Sequence, residues 1–151
     1  MIQGFSIIFL VCMSGFSESG GGKEIVCMSI DELYQYCNLP ASCGEALECE
    51  GKKIRVMGYI DWENIFFKEE YQQLPYDKFI ITDRESEKKV EVWVNPETAR
   101  AVYQRMQQQR KKTGKEVFVS GTISGFDMPV MGSCCRGIKI ELQKPEDLEF
   151  R

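Results

Sequence analysis

Two stretches of this chain carry side chains that could do chemistry. In the first, Met128-x2-Met131-x2-Cys134-Cys135 is a run of soft sulfur donors of the kind that suits Cu(I). The adjacent thiols also admit a redox role, because neighbouring cysteines close only a strained, easily reduced ring, with Arg136 as the nearest activating cation. Alternatively, each pairs with a different upstream cysteine, or both stay reduced. The second stretch, DWENIFFKEEYQQLPYDK at 61–78, carries Trp62, Phe66, Phe67, Tyr71 and Tyr76. Aromatic rings in a groove can stack nucleobases, stack sugars or anchor a protein partner, and a long aromatic loop can equally fold down to cap a core. The chain has no histidine. Ser-His-Asp and Cys-His catalysis, HExxH zinc proteases and histidine-anchored metal sites therefore lack their residue. No catalytic constellation remains, so the expectation is a binding module without a cofactor, not an enzyme.

Charge narrows the partner. Lys and Arg number 19 against 23 Asp and Glu, a net charge of −4 over 151 residues, which does not favour bulk phosphate binding. The 61–78 stretch is itself acidic, with Asp61, Glu63, Glu69, Glu70 and Asp77 against Lys68 and Lys78. Basic residues concentrate instead at Arg100, Arg105, Arg110, Lys111, Lys112 and Lys115, with no acid between them. These read as a solvated helix face favoured by the dipole at the helix C-terminus. A protein or peptide, or a small neutral ligand, is the expected partner, with single-stranded nucleic acid as the alternative.

Residues 5–16, FSIIFLVCMSGF, have the length of a signal-peptide apolar region and are too short to span a bilayer. SESGGG at 17–22 follows as a flexible tether. The expectation is export, with a periplasmic or otherwise extracytoplasmic protein that meets a membrane only through an uncleaved or lipidated leader. Loss of Cys12 with that leader leaves Cys27, Cys37, Cys43, Cys49, Cys134 and Cys135, an even set that suggests disulfides without fixing their pairing.

The elements that must position these groups can be read from periodicity. Ser29 and Glu32 form a capping box, with Met28 and Leu33 placed as its hydrophobic staple, for a helix from Ile30 to Cys37 that must stop before Pro40. Alternating apolar residues then predict strands at 51–61, 78–83, 90–94, 114–124 and 137–143. Gly58, inside the first strand, suggests a bulge or sharp coil. Asn95-Pro96-Glu97 predicts a helix start, and Ala99, Val102, Tyr103 and Met106 give that helix one apolar face, closed by Lys111, Lys112 and Gly114. The first and fourth strands share a pattern, Gly-Lys-x-[Ile/Val]-x-Val-x-Gly-x-Ile, over Gly51–Ile60 and Gly114–Ile123.

Three strands, a helix and two strands, with glycines so placed, resemble the OB-fold over about residues 51–143. The resemblance implies an all-β domain with minor α: a five-stranded Greek-key barrel with a helix between its third and fourth strands, here preceded by a short N-terminal helix. The expected domains are a leader and tether at 1–22, a helical extension at 23–50 and the OB-fold at 51–151. The resemblance further implies binding at the mouth between the loop after strand one and a long loop at 125–137 between strands four and five. The candidate ligand-binding residues there are Trp62, Phe66, Phe67, Tyr71, Trp93, Phe126, Met128 and Arg136.

Overall fold

The computed structural model describes residues 25–112 and 114–151. The leader and tether expected at 1–22, with Cys12, lie outside the described residues. The chain begins with a short strand, β1 (Cys27–Ser29), running directly into α1 (Ile30–Tyr36). The capping box forms as expected: the Ser29 amide donates to Glu32 Oε2 at 2.7 Å and the Glu32 amide to Ser29 Oγ at 3.2 Å.

Alternation then produces five long strands. They are β2 (Lys53–Phe66), β3 (Lys78–Thr82), β4 (Lys89–Val94), β5 (Glu116–Val130) and β6 (Ser133–Leu142). Between β4 and β5 lies α2 (Ala99–Gln109), and a 3₁₀ turn at Pro145–Asp147 leads into β7 (Leu148–Phe150). Pairings run from β2 to β3, β4, β6 and β5, and then from β5 back to β2. Within that ring only β4–β6 is parallel. This strand order, with a helix between the third and fourth ring strands, is that of the OB-fold. Seven strands are described, not five: β1 adds in parallel to β2, and β7 adds antiparallel to β5. At three residues each, both are too short to show alternation, and their pairing depends on neighbours distant in sequence.

The repeated sequence pattern has a structural counterpart. β2 and β5 pair with each other about a local two-fold, with Val56 opposite Val119, Gly58 opposite Val117 and Gly121 opposite Ile54. The second glycine of each copy thus faces the apolar residue at the other copy's fourth position. Gly58 is not the site of a bulge; the register shift falls between Ile60 and Ile65. A Cβ at Gly58 would stand 3.0 Å from Ile30 Cδ1 and 3.2 Å from the Thr82 carbonyl, so the missing side chain lets α1 dock on the ring.

Inward residues Val56, Phe79, Ile81, Val92, Val119 and Ile140 form the core, joined by Ile30 and Leu33 of α1 and by Val102 and Met106 of α2. α2 starts later than the proline suggests. Asn95 first makes its own turn, accepting the Glu97 amide at Oδ1 (3.0 Å) and the Thr98 amide at its carbonyl (3.0 Å). The expected long loop at 125–137 is a hairpin: β5 and β6 run paired to Val130 and Ser133. Met131 (φ 38°) and Gly132 (φ 83°) make the two-residue turn, a conformation that glycine supplies freely at the second position. The strand preceding the aromatic loop likewise reaches Phe66, beyond the expected end at 61.

Disulfides link Cys37 to Cys49 and Cys43 to Cys134. The second joins the 41–50 segment to the hairpin, and three further contacts reinforce it. The Gly44 amide donates to Asp127 Oδ1 (3.1 Å), the Arg136 amide to the Ala41 carbonyl (2.9 Å), and the Gly125 amide to Glu50 Oε1 (3.1 Å).

Candidate functional site

Register decides which side chains meet. Phe66 pairs with Lys78, Lys78 with Trp93, and Trp93 with Glu141, which forms one row across the outer face of β2, β3, β4 and β6. The next row carries Ile80, Glu91, Lys139 and Ser124. Partners in a sheet share a face, so these rows form a continuous outer surface.

Trp93 is its centre. Its ring is tilted 40° against Tyr76, with centroids 5.2 Å apart. Lys78 Nζ lies 4.9 Å from the Tyr76 ring, 5.6 Å from Trp93 and 5.7 Å from Phe66, while Lys139 Nζ lies 4.2 Å from Trp93. Glu91 orients the group, accepting from the Trp93 indole N–H (2.7 Å) and pairing with Lys78 (3.0 Å). A shallow groove of about 240 Å³ runs beside the Trp93 ring, lined by Val94, Asn95, Pro96, Glu141, Leu142 and Gln143. Rings with edge-on polar anchors and flanking ammonium groups make a surface on which flat or anionic ligands can stack.

The face continues up the hairpin. Phe126 and Met128 pair with Gly137 and Cys135, and a Cβ at Gly137 would stand 2.8 Å from Phe126 Cζ and 3.1 Å from Met128 Cε. Both side chains thus lie over the bare glycine. Of the eight candidates, Phe66, Trp93, Phe126 and Met128 therefore share one surface.

The other four separate from it. Phe67 is fully buried between Phe79 (6.4 Å) and Tyr103 (5.2 Å), because the chain turns inward after β2 and the Lys68 amide is held by the buried carboxylate of Asp77 at 2.8 Å. Trp62 packs against the core beneath Arg110, whose guanidinium is 5.9 Å from its ring. Tyr71 is 47% exposed in the loop, with no ring or cation partner among the described residues. Arg136 is committed to two carboxylates, Asp127 at 2.9 Å and Glu50 at 3.5 Å, and serves the clamp on the hairpin. The Gly44 amide, and then Arg136, hold the Asp127 carboxyl below the usual carboxylate range.

The sulfur donor set does not survive folding. Cys134 is bonded to Cys43, and Met131, at the hairpin turn, is fully exposed. Neighbouring strand residues point to opposite faces, so Cys134 and Cys135 cannot converge on one ion. Tyr76, Lys78, Glu91 and Lys139 are the members of the Trp93 group missing from the sequence-derived set. The strand alternation placed the three charged residues outward, but only the cross-strand register puts them around Trp93.

The acidic rim is also less free than composition implies. Glu69 pairs with Arg100 (3.6 Å), Asp61 with Lys89 (3.6 Å) and Asp77 with Lys68 (3.8 Å), while Glu70 accepts from the Tyr103 hydroxyl (2.7 Å).

No family model and no curated protein matches the chain. Among solved structures it is similar to two crystal forms of Rim1, the mitochondrial single-stranded DNA binding protein of S. cerevisiae. The first is 14% identical over 67% of this chain and 94% of that one (TM-score 0.41), and the second 13% identical over 67% and 93% (TM-score 0.38). The Plasmodium falciparum SSB in complex with ssDNA is 18% identical over 66% of this chain and 93% of that one, with a TM-score of 0.41.

Proposed function

We propose that the protein is a non-catalytic binding module whose site is the Trp93 face, and that this face holds a short stretch of single-stranded nucleic acid. One observation carries the reading: Trp93 of β4 and Tyr76, just before β3, bring their rings within 5.2 Å of each other on the outer surface, with Lys78 over the Tyr76 ring and Lys139 over the Trp93 ring. Base–aromatic stacking flanked by cations is how sheet faces of this fold take up single strands. Pairing of Asp61 with Lys89 and of Glu69 with Arg100 brings two cations from outside the stretch against the acidic rim that composition raises as an objection. The test is anisotropy of labelled single-stranded DNA and RNA oligonucleotides, titrated with the protein at low salt. Saturable binding is expected, and its absence under those conditions would remove the reading.

A second reading keeps the site and changes the ligand to a peptide or a neutral molecule. It is favoured by the carboxylate partner that each face lysine already has: Glu91 for Lys78 and Glu141 for Lys139. Binding of such a ligand would be insensitive to salt, which separates the two. With either reading goes an exported protein, since two disulfides are bonds that an oxidising compartment sustains.

A further inference from the structure

The exposed apolar side chains of this protein are not scattered. Among the described residues seven large hydrophobics are exposed, and three of them, Met128, Val130 and Met131, fall within four positions at the tip of the β5–β6 hairpin. Met128 lies with Phe126 over Gly137 and belongs to the Trp93 face, but Val130 and Met131 stand beyond it. Val130 is 50% exposed, and Met131, in the turn, is fully exposed. Single exposed apolar residues are ordinary, whereas neighbours crowded on a projecting tip mark a surface that meets something.

The make-up of the tip suits it to leaving water. Asp127 and Arg136, paired across the hairpin at 2.9 Å, are the last charges before the turn, and residues 128–135, MPVMGSCC, carry none. Three cross-strand rows lie beyond that pair: Met128 with Cys135, Pro129 with Cys134 and Val130 with Ser133. At the rise of a strand, the uncharged part stands about 10 Å tall before its turn. Much of the backbone there is already engaged. The two strands pair up to the turn, Pro129 has no N–H to satisfy, and the Ser133 hydroxyl donates to the Val130 carbonyl (3.0 Å). Glu45, on the 41–50 segment that flanks the hairpin, is turned back to accept the Ser42 amide (2.9 Å).

A second, independent observation concerns where the rest of the chain joins. β1 is parallel to β2, with Cys27 opposite Arg55, and β2 is antiparallel to β5, with Lys53 opposite Thr122. Followed backwards from Cys27, the chain therefore leaves the sheet in the direction in which β5 runs on to the tip. Ile25 and Val26, both more than half exposed, stand on that path. Before them come the apolar run 5–16, FSIIFLVCMSGF, and then eight residues, 17–24. From the level of Thr122 to Val130 is eight residues of strand, about 27 Å. Eight residues of extended chain span at most about 29 Å. Both apolar features can thus reach one plane.

A stable protein interface takes roughly 20–30 residues a side, which a two-residue knob does not supply. A bilayer surface asks for less: a shallow, uncharged, apolar projection whose backbone is largely bonded. We propose that the hairpin tip, through Val130 and Met131, inserts into the interface of a lipid bilayer. With no cation at the tip and a net charge of −4, nothing draws it to anionic lipid, so the headgroups it meets are electrically neutral. This contact is separate from the Trp93 face and does not rest on the function proposed for that face.

The test uses the full chain, phosphatidylcholine vesicles and two variants. Val130→Trp puts an indole at a strand position, where an aromatic is well accommodated. Its emission is read as the difference from the native protein, which has Trp62 and Trp93 alone. V130T/M131N makes the tip polar, while threonine keeps the β-branch and asparagine tolerates the positive φ of Met131. On the vesicles the introduced indole should shift to the blue and be quenched by brominated acyl chains, equally at about 0.1 M and about 1 M salt. V130T/M131N should partition at least about tenfold more weakly than the native chain, with unchanged circular dichroism. Five results would overturn the proposal. They are no binding of the native chain to these vesicles, binding only when anionic lipid is added, and native partitioning by V130T/M131N. The fourth is an indole that stays unshifted and unquenched on bound protein, as when residues 5–16 alone make the contact. The fifth is a blue shift without vesicles that grows with protein concentration, which would assign the tip to a second copy of the chain.

Discussion

Trp93 has two ammonium groups beside its ring and is not a member of the buried core. Substitution with alanine should therefore leave the fold intact while removing a stacking surface worth about 1–3 kcal/mol per base. Oligonucleotide titrations of Trp93→Ala should show that loss, and an unchanged affinity would move the site elsewhere. Gly121 is the opposite case, a residue that matters for the fold alone. A Cβ there would collide with the Glu141 carbonyl oxygen and stand 2.7 Å from Ile140 Cγ2, where β5 meets β6. Backbone cannot step aside as a flexible side chain can, so Gly121→Ala should cost about 1–3 kcal/mol, read from the denaturant midpoint. Tyr103 carries a pH signature. The hydrogen bond it donates to Glu70 (2.7 Å), together with desolvation, raises its phenol from 10.0 to about 12. The folded state thus holds this proton more tightly than the unfolded chain does. The stabilisation is intact below pH 10 and is lost as pH rises towards 12. An ultraviolet titration should show a late-ionising tyrosine that disappears in Tyr103→Phe.

At the scale of elements, the β5–β6 hairpin is the part whose order depends on remote chain. Cys43–Cys134 spans 91 residues, and Asp127 and Arg136 add contacts to Gly44 and Glu50. Replacing Cys43 and Cys134 with serine should cost up to about 4.6 kcal/mol in a chain-entropy account. The faster amide exchange should be confined to 126–136, with 117–121 still protected by pairing to β2. The Asp127 contribution to this clamp is present above the carboxylate's unfolded pKa and fades as pH falls through its lowered folded value. This element also marks where sequence reading stops. Alternation disclosed the cores of all five ring strands, because Ile54, Val56, Phe79, Val92, Val119 and Ile140 each report a buried face locally. Composition rich in Gly, Pro and Cys made 125–137 look like a loop, whereas its pairing is set by the Met131-Gly132 turn and by a disulfide from the 41–50 segment. The aromatic cluster was half legible for the same reason. Phe66 and Phe67 are adjacent and equally apolar, and only the end of β2 and the buried Asp77 decide that one faces out and the other in.

For the molecule as a whole, a net charge of −4 conceals an uneven distribution of paired and unpaired cations. The face proposed to bind a single strand carries Lys78 and Lys139, each already near a carboxylate, whereas Arg110, Lys111, Lys112 and Lys115 at the end of α2 have no carboxylate partner among the described residues. A strand lying on the Trp93 face would meet at most those two lysines, and each would have to loosen an existing pair to reach a phosphate. Counterion release then sets the salt dependence. With about 0.7 ions released per phosphate on a single strand, two contacts give a log–log slope of about −1.4. Stacking, which salt hardly touches, would supply most of the affinity. Anisotropy titrations over a range of salt concentrations, run on the native protein and on K112Q/K115Q, measure this directly. A shallow slope unchanged by the double substitution would agree with binding at Trp93. A slope several times steeper, reduced by that substitution, would mean that the strand runs over the end of α2, where the cations have no acidic partners to give up.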